Sequence, residues 1–292
     1  MKSIKNILGL YEIFENYEIF IIDQWGVMHD GQQGYLRAID CVKKLFLDNK
    51  KLIIISNSSK RKAESLLRLP KLGFNSGNFI EVMTSGEMIW QSLNKRINDF
   101  TKNLGENCFH IYDKENKNGR KYLDGLSFTA VSSIEDADFI LGCTPFAKKK
   151  IIEYVPLLEI AKKKNLPFIC ANPDFDTIQK SSENLIFCMG TISELYKNMG
   201  GKTFILGKPN IDIYIESMKS IPNFDKSKIL AIGDSIYHDI AGANNFGVDS
   251  LLITSGIHQN YFDKKYPIWV SEKNKLQIHD IQPTFLLSEL KL

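Results

Sequence analysis

Short, wholly apolar runs alternate with segments of helical period along this chain, and that rhythm constrains the fold more than any other feature. Residues 18–22 (EIFII) read as a buried strand. Leu36, Ile39, Val42 and Phe46 then recur at three- and four-residue spacing, predicting an amphipathic helix that ends before Asn49. Residues 52–55 (LIII) predict the next strand, and a helix over about residues 60–69 stops at Pro70 and Gly73. Residues 203–206 (TFIL), 229–232 (ILAI) and 250–254 (SLLIT) predict three more strands. Apolar strands separated by helices belong to a largely parallel sheet covered on both faces, so the predicted class is α/β.

The middle of the chain repeats the rhythm on its own: strands at 108–112, 139–141 and 167–171, with a helix over about 148–165. At 292 residues the chain is long for one domain. The pattern predicts a core domain, residues 1–83 and 190–292, interrupted by a second α/β domain at 84–189. A net charge of +3 gives no reason to expect a nucleic-acid partner, and Lys148–Lys150 with Lys162–Lys164 read as solvated helix faces. The five cysteines (Cys41, Cys108, Cys143, Cys170 and Cys188) show no metal-ligand spacing and are expected to be buried thiols. Glu12, Glu15 and Glu18 interrupt the N-terminal apolar residues, and no run is long enough for a membrane span. A cytoplasmic protein with no membrane partner is the expectation.

In an open parallel sheet, ligands bind at the carboxyl ends of the strands. Four strand-end loops here carry reactive groups: Asp23 in IIDQWGV, Ser56 and Asn57 in IIISNSS, Lys208 in FILGKPN, and Asp234 with Asp239 in LAIGDSIYHDI. Carboxylates, an ammonium and small hydrogen-bonding side chains suit phosphoryl transfer. A hard cation takes carboxylate oxygens, fixed donors stabilise the spreading charge, and a carboxylate can attack phosphorus. Taken singly, each residue also fits a turn, a cap or an exposed loop.

In that order, the motifs resemble those of the haloacid dehalogenase (HAD) superfamily, and within it the class IIA, NagD-like sugar and nucleotide phosphatases. IIDQWGVMHDG resembles the first motif, ISNSS the second, GKPN the third and GDSIYHDI the fourth. FICANPDFD resembles the NPD stretch of the α/β cap that this subclass inserts between motifs two and three. The resemblance implies a Rossmann-like HAD core with an inserted cap, a Mg²⁺ cofactor and a small phosphorylated metabolite as substrate. It implies that Asp23 is nucleophile and metal ligand, and that Asp234, Asp239 and the Trp25 backbone carbonyl are further ligands. Ser56, Asn57 and Lys208 would bind the phosphoryl group, and Lys208 would also neutralise Asp23. Asn172 and Asp174 would face the leaving group or position the cap. The cap surface also offers a homodimer contact.

Trp25 departs from the resemblance. Phosphatases of this superfamily carry DxD in the first motif, and the second Asp moves the proton to and from the leaving group. An indole N–H does not titrate in water. His29 and Asp30 are nearby substitutes. Three readings therefore stay open: a Mg²⁺-dependent phosphatase with impaired leaving-group protonation, a non-catalytic phosphometabolite-binding or regulatory protein, and a carbon–halogen hydrolase. The last has no use for a metal site.

Overall fold

The structure is a computed structural model describing residues 4–96, 98–117, 119–179, 182–262 and 281–292. Four strands come first: β1 (Lys5–Asn6), β2 (Ile19–Ile22), β3 (Lys51–Ser56) and β4 (Phe79–Thr84). Seven follow in the middle: β5 (Asn107–Ile111), β6 (Thr129–Val131), β7 (Phe139–Gly142), β8 (Phe168–Cys170), β9 (Asp176–Gln179), β10 (Ser182–Phe187) and β11 (Thr203–Ile205). The last three are β12 (Ile229–Gly233), β13 (Asp249–Ile253) and β14 (Phe285–Leu287).

The first sheet has the order β1-β14-β13-β12-β2-β3-β4, with every pairing parallel. Phe20, Ile22, Leu52, Ile54, Leu230 and Ile232 face one core, and Ile19, Ile21, Ile53, Ile55, Ile229 and Ala231 face the other. Both faces are buried, which is why these strands read as unbroken apolar runs. After β2 the chain adds β3 and β4 on one side, whereas β12 to β14 lie on the other. The order of strands thus reverses between β2 and β12, opening a crevice at their carboxyl ends.

The second sheet, β11-β8-β7-β5-β6, is also parallel, and β9 and β10 form a separate antiparallel hairpin. The helix Ser85–Lys95, directly after β4, contributes Ile89 and Leu93 to this sheet's core. The chain returns to the first sheet later than expected. The expectation put residues 203–206 in the core domain and the boundary at 190, but β11 pairs with β8, Thr203 against Phe168. The helix Met189–Asn198 likewise packs Met189, Ile192 and Tyr196 into the second core. A short, half-buried apolar strand reads the same in either sheet, and only its pairing partner distinguishes them.

A smaller difference lies in the helix Leu36–Leu47, whose buried residues are Ala38, Cys41, Val42 and Leu45. Leu36 and Phe46 are exposed. The small side chains at 38 and 41 form the sheet-facing stripe, one that a count of large hydrophobes misses. All five cysteines are buried free thiols. Among the described residues, no helix is long and apolar enough to cross a membrane.

Candidate active site

Asp23 directly follows β2, and its backbone N–H donates to the Ile232 carbonyl of β12 at 2.9 Å. Asp234 directly follows β12, so adjacent strands deliver both carboxylates to the crevice. Asp239 reaches the same place through a wide π-helical turn over Ile236–Ile240, where its Oδ2 accepts the Ser235 N–H at 3.0 Å. Carboxylate oxygens of Asp23, Asp234 and Asp239 lie within 4.8 Å of one another, all buried. The Lys208 Nζ donates to Asp23 Oδ1 at 2.5 Å and to Asp239 Oδ1 at 2.6 Å, at 3% exposure.

Two glycines make this crowding possible. A Cβ at Gly26, whose φ is +81°, would lie 2.0 Å from Asp234 Oδ2, and one at Gly233 would lie 2.1 Å from Asp239 Cγ. Gly26 therefore serves both the left-handed turn after Trp25 and the close approach of Asp234.

Three carboxylates face one ammonium. Burial pushes the Asp23 carboxyl up to about 7 against the pull of Lys208, with Asp239 adding to the rise. Burial, then Asp23 and Asp239, hold Asp234 well above the carboxylate range. Burial alone would lower the Lys208 ammonium, but Asp23 and Asp239 hold it well above its ordinary value. Hard oxygen ligands with excess negative charge fit a divalent cation such as Mg²⁺ or Ca²⁺, and the donor set contains no soft ligand.

The carboxylates and Lys208 open into a cavity of about 650 Å³, large enough for far more than a phosphate group. Ser56, at the end of β3, lines it, as do Trp25, Asn172 and Asp174. The Asn57 side chain is not among the lining groups. It is 1% exposed: its Oδ1 accepts the Lys208 N–H at 2.7 Å, and its Nδ2 donates to the Lys208 carbonyl at 3.1 Å and to Asp174 Oδ1 at 2.8 Å. Its side-chain amide is committed to fixing the Lys208 loop and the loop after β8. Asn172 Oδ1 accepts the Asp174 N–H at 3.2 Å, so the NPD turn is self-braced.

Neither substitute for the missing second Asp is placed as an acid. His29 is held down at about 4, chiefly by burial and then by Arg68, so its imidazole is neutral near pH 7. Asp30 Oδ1 accepts the N–H groups of Gln32 and Gln33, both at 2.9 Å, and caps its own turn. The Trp25 ring packs against Gly31, whose φ is +87°, and meets the His29 ring edge-on at 5.8 Å between centroids.

Three cavity-lining residues escaped the sequence reading. His238 Nδ1 lies 3.1 Å from Ser235 Oγ and 3.3 Å from Asp174 Oδ1, linking the fourth motif to the NPD turn. Its position one residue before Asp239 was the available signal. Lys60 and Arg68 also line the cavity.

Comparison with known proteins gives this geometry its context. A family model of haloacid dehalogenase-like hydrolases matches residues 20–120, and a HAD-hydrolase-like model matches residues 205–288. The two matches contain β2 to β4 and β12 to β14, the strands that carry Asp23, Ser56 and Asp234. This chain belongs to the haloacid dehalogenase-like hydrolases. A hydrolase of the haloacid dehalogenase-like family from Brucella suis 1330 has a solved structure that superposes with a TM-score of 0.81 at 26% identity, covering 97% of this chain and 99% of that one. Among curated proteins, the chain is similar to an acid sugar phosphatase of Staphylococcus haemolyticus, 24% identical over 95% of both chains. It is also similar to a 4-nitrophenylphosphatase of Schizosaccharomyces pombe, 23% identical over 88% of this chain and 91% of that protein. These HAD-like relatives span the whole architecture, both sheets included.

Proposed function

We propose that this protein is a Mg²⁺-dependent phosphatase of a small phosphorylated metabolite, working through an aspartyl-phosphate on Asp23. The observation that carries the reading is the buried cluster of Asp23, Asp234, Asp239 and Lys208 at the strand-order reversal, in a chain similar to named phosphatases. Asp23, Asp234, Asp239 and the Trp25 carbonyl would hold Mg²⁺, which when bound supplies positive charge against the phosphate oxygens. Asp23 attacks phosphorus and the leaving-group oxygen departs. Water then cleaves the acyl phosphate and regenerates the carboxylate. Lys208 offsets charge on the transferring group, Ser56 donates to it, and Asn57 holds the Lys208 backbone in place.

Proton delivery sets this protein apart. Trp25 replaces the acid and His29 is neutral, so good leaving groups suffer least. Purified protein with Mg²⁺ is expected to hydrolyse p-nitrophenyl phosphate and acyl phosphates faster than sugar phosphates, and to lose that activity in EDTA. Ligand binding without turnover of any activated phosphate would instead make it a phosphometabolite-binding protein. Trp25→Asp is expected to raise kcat on sugar phosphates by about 10²-fold and to change p-nitrophenyl phosphate turnover little. Because Trp25 is only half-buried, the variant should fold. A parallel rise on both substrates would mean that Trp25 limits something other than protonation.

Metal should also stabilise the fold. Mg²⁺ at about 100 times its Kd is expected to add about 2.7 kcal/mol. In EDTA the Asp23 carboxyl holds its proton up to about 7, above its unfolded value, so the native state binds more protons than the unfolded one. Stability without metal then falls as pH rises from about 4 to 7, and the Tm gain from Mg²⁺ widens over that window. Calorimetric scans at pH 5 and 8 check this.

A further inference from the structure

We propose that Lys60, Arg68 and His29 form a second anion subsite in the wall of the reaction cavity, taking a carboxylate or phosphate carried at the far end of the phosphorylated substrate. The inference rests on the phosphatase reading of the first site and narrows the substrate to phosphate esters that bear a second anionic group.

The argument begins with which cations are neutralised. Arg61 pairs with Glu87 at 2.6 Å, and Lys62 pairs with Glu81. Lys148, which also lines the cavity, pairs with Glu115 at 3.0 Å. Lys60 and Arg68 differ. Among the described residues, the Lys60 ammonium has neither hydrogen bond nor ion pair, and the Arg68 guanidinium donates only to the Gly31 carbonyl. Glu64, the carboxylate that acts on Lys60, forms no ion pair with it. In this stretch of chain, the paired cations point elsewhere and these two line the cavity.

The unpaired charges are also partly withdrawn from water. Burial and then Arg68 lower the Lys60 ammonium, and burial lowers the Arg68 guanidinium. Two like charges held together in a desolvated wall repel each other, and an anion between them would relieve that cost.

His29 supplies a second, independent indication. It is 2% exposed and lines the same cavity. Its Nδ1 accepts the Gly31 N–H at 3.1 Å, so in the neutral ring Nε2 carries the hydrogen. That Nε2–H is buried with no hydrogen-bond partner, a costly state unless something accepts from it. Arg68, Lys60 and His29 all line this one cavity.

The Trp25 ring lines the same cavity, edge-on to His29. Its apolar face suits the carbon skeleton of a substrate spanning from the carboxylate cluster to Lys60. Binding energy from a non-reacting group can be used in the transition state. A remote anion clamp therefore offsets part of what the chain lacks in leaving-group protonation.

Two matched substrate pairs test the subsite: 3-phosphoglycerate against glycerol 3-phosphate, and fructose 1,6-bisphosphate against fructose 6-phosphate. With Mg²⁺ and the full chain, the second anion is expected to raise kcat/KM at least about tenfold in one pair. Lys60→Met should bring that ratio close to one, and Lys60→Arg should keep it. The ratio is taken within one protein, so a general loss of activity does not mimic the result. Equal handling of both pairs by the wild type overturns the proposal, as does a preference that survives both Lys60→Met and Arg68→Met. Turnover of p-nitrophenyl phosphate, which has no second anion, reports separately on the phosphatase reading. If that substrate is not hydrolysed, calorimetric Kd ratios for the same pairs decide the subsite by the same criteria.

Discussion

Asp23→Asn is expected to lower p-nitrophenyl phosphate hydrolysis by about 10⁴-fold or more while the protein stays folded. The amide keeps the shape of the carboxyl and its contact with Lys208 but cannot form the acyl phosphate. The stability effect has the opposite sign. The raised Asp23 value means that its charged form is disfavoured in the metal-free native state, a cost present above about pH 7 and absent below the unfolded value. In EDTA at pH 8, the variant should therefore melt above the wild type. Gain of stability with loss of turnover would mark Asp23 as a residue kept for chemistry. A variant retaining a few per cent of the rate would remove the nucleophile assignment.

Lys208→Met is expected to be the most damaging single change to the fold. The ammonium is 3% exposed and touches two of three buried carboxylates, so its removal leaves uncompensated negative charge. Breaking a buried pair in this way costs about 3–5 kcal/mol. Urea unfolding in EDTA at pH 8 should show that loss. It should shrink toward pH 5, where the carboxyls take up protons, and shrink again on adding Mg²⁺. A cost that is flat with pH would mean that the Lys208 stem packs rather than its charge balances. Turnover should be lost at every pH.

The parallel sheet was legible because its central strands are buried on both faces and so read as apolar runs. Asp23, Ser56, Lys208 and Asp234 were legible because each sits where such a run breaks off. What stayed hidden depended on partners rather than patterns. The run TFIL belongs to the second sheet because it pairs with β8, a fact carried by no residue of its own. The three hydrogen bonds of the Asn57 side chain run to Lys208 and Asp174, partners more than a hundred residues away that its sequence position does not announce. Lys60 and Arg68 differ from Arg61 and Lys62 only in lacking carboxylates across space, and sequence spacing cannot report that.

The inward-facing amide of Asn57 has one further effect. It joins three segments distant in the chain: the end of β3, the Lys208 loop and the NPD turn after β8. Asp174 Oδ1 accepts from the same amide that bonds both the N–H and the carbonyl of Lys208, so the NPD turn and the loop that aims the ammonium share one anchor. The position of the NPD turn and the placement of the counter-charge are thus coupled, and linkage makes the relation reciprocal. A phosphate that engages Lys208 is expected to hold the NPD turn more firmly, which amide hydrogen exchange at Asp174 would read.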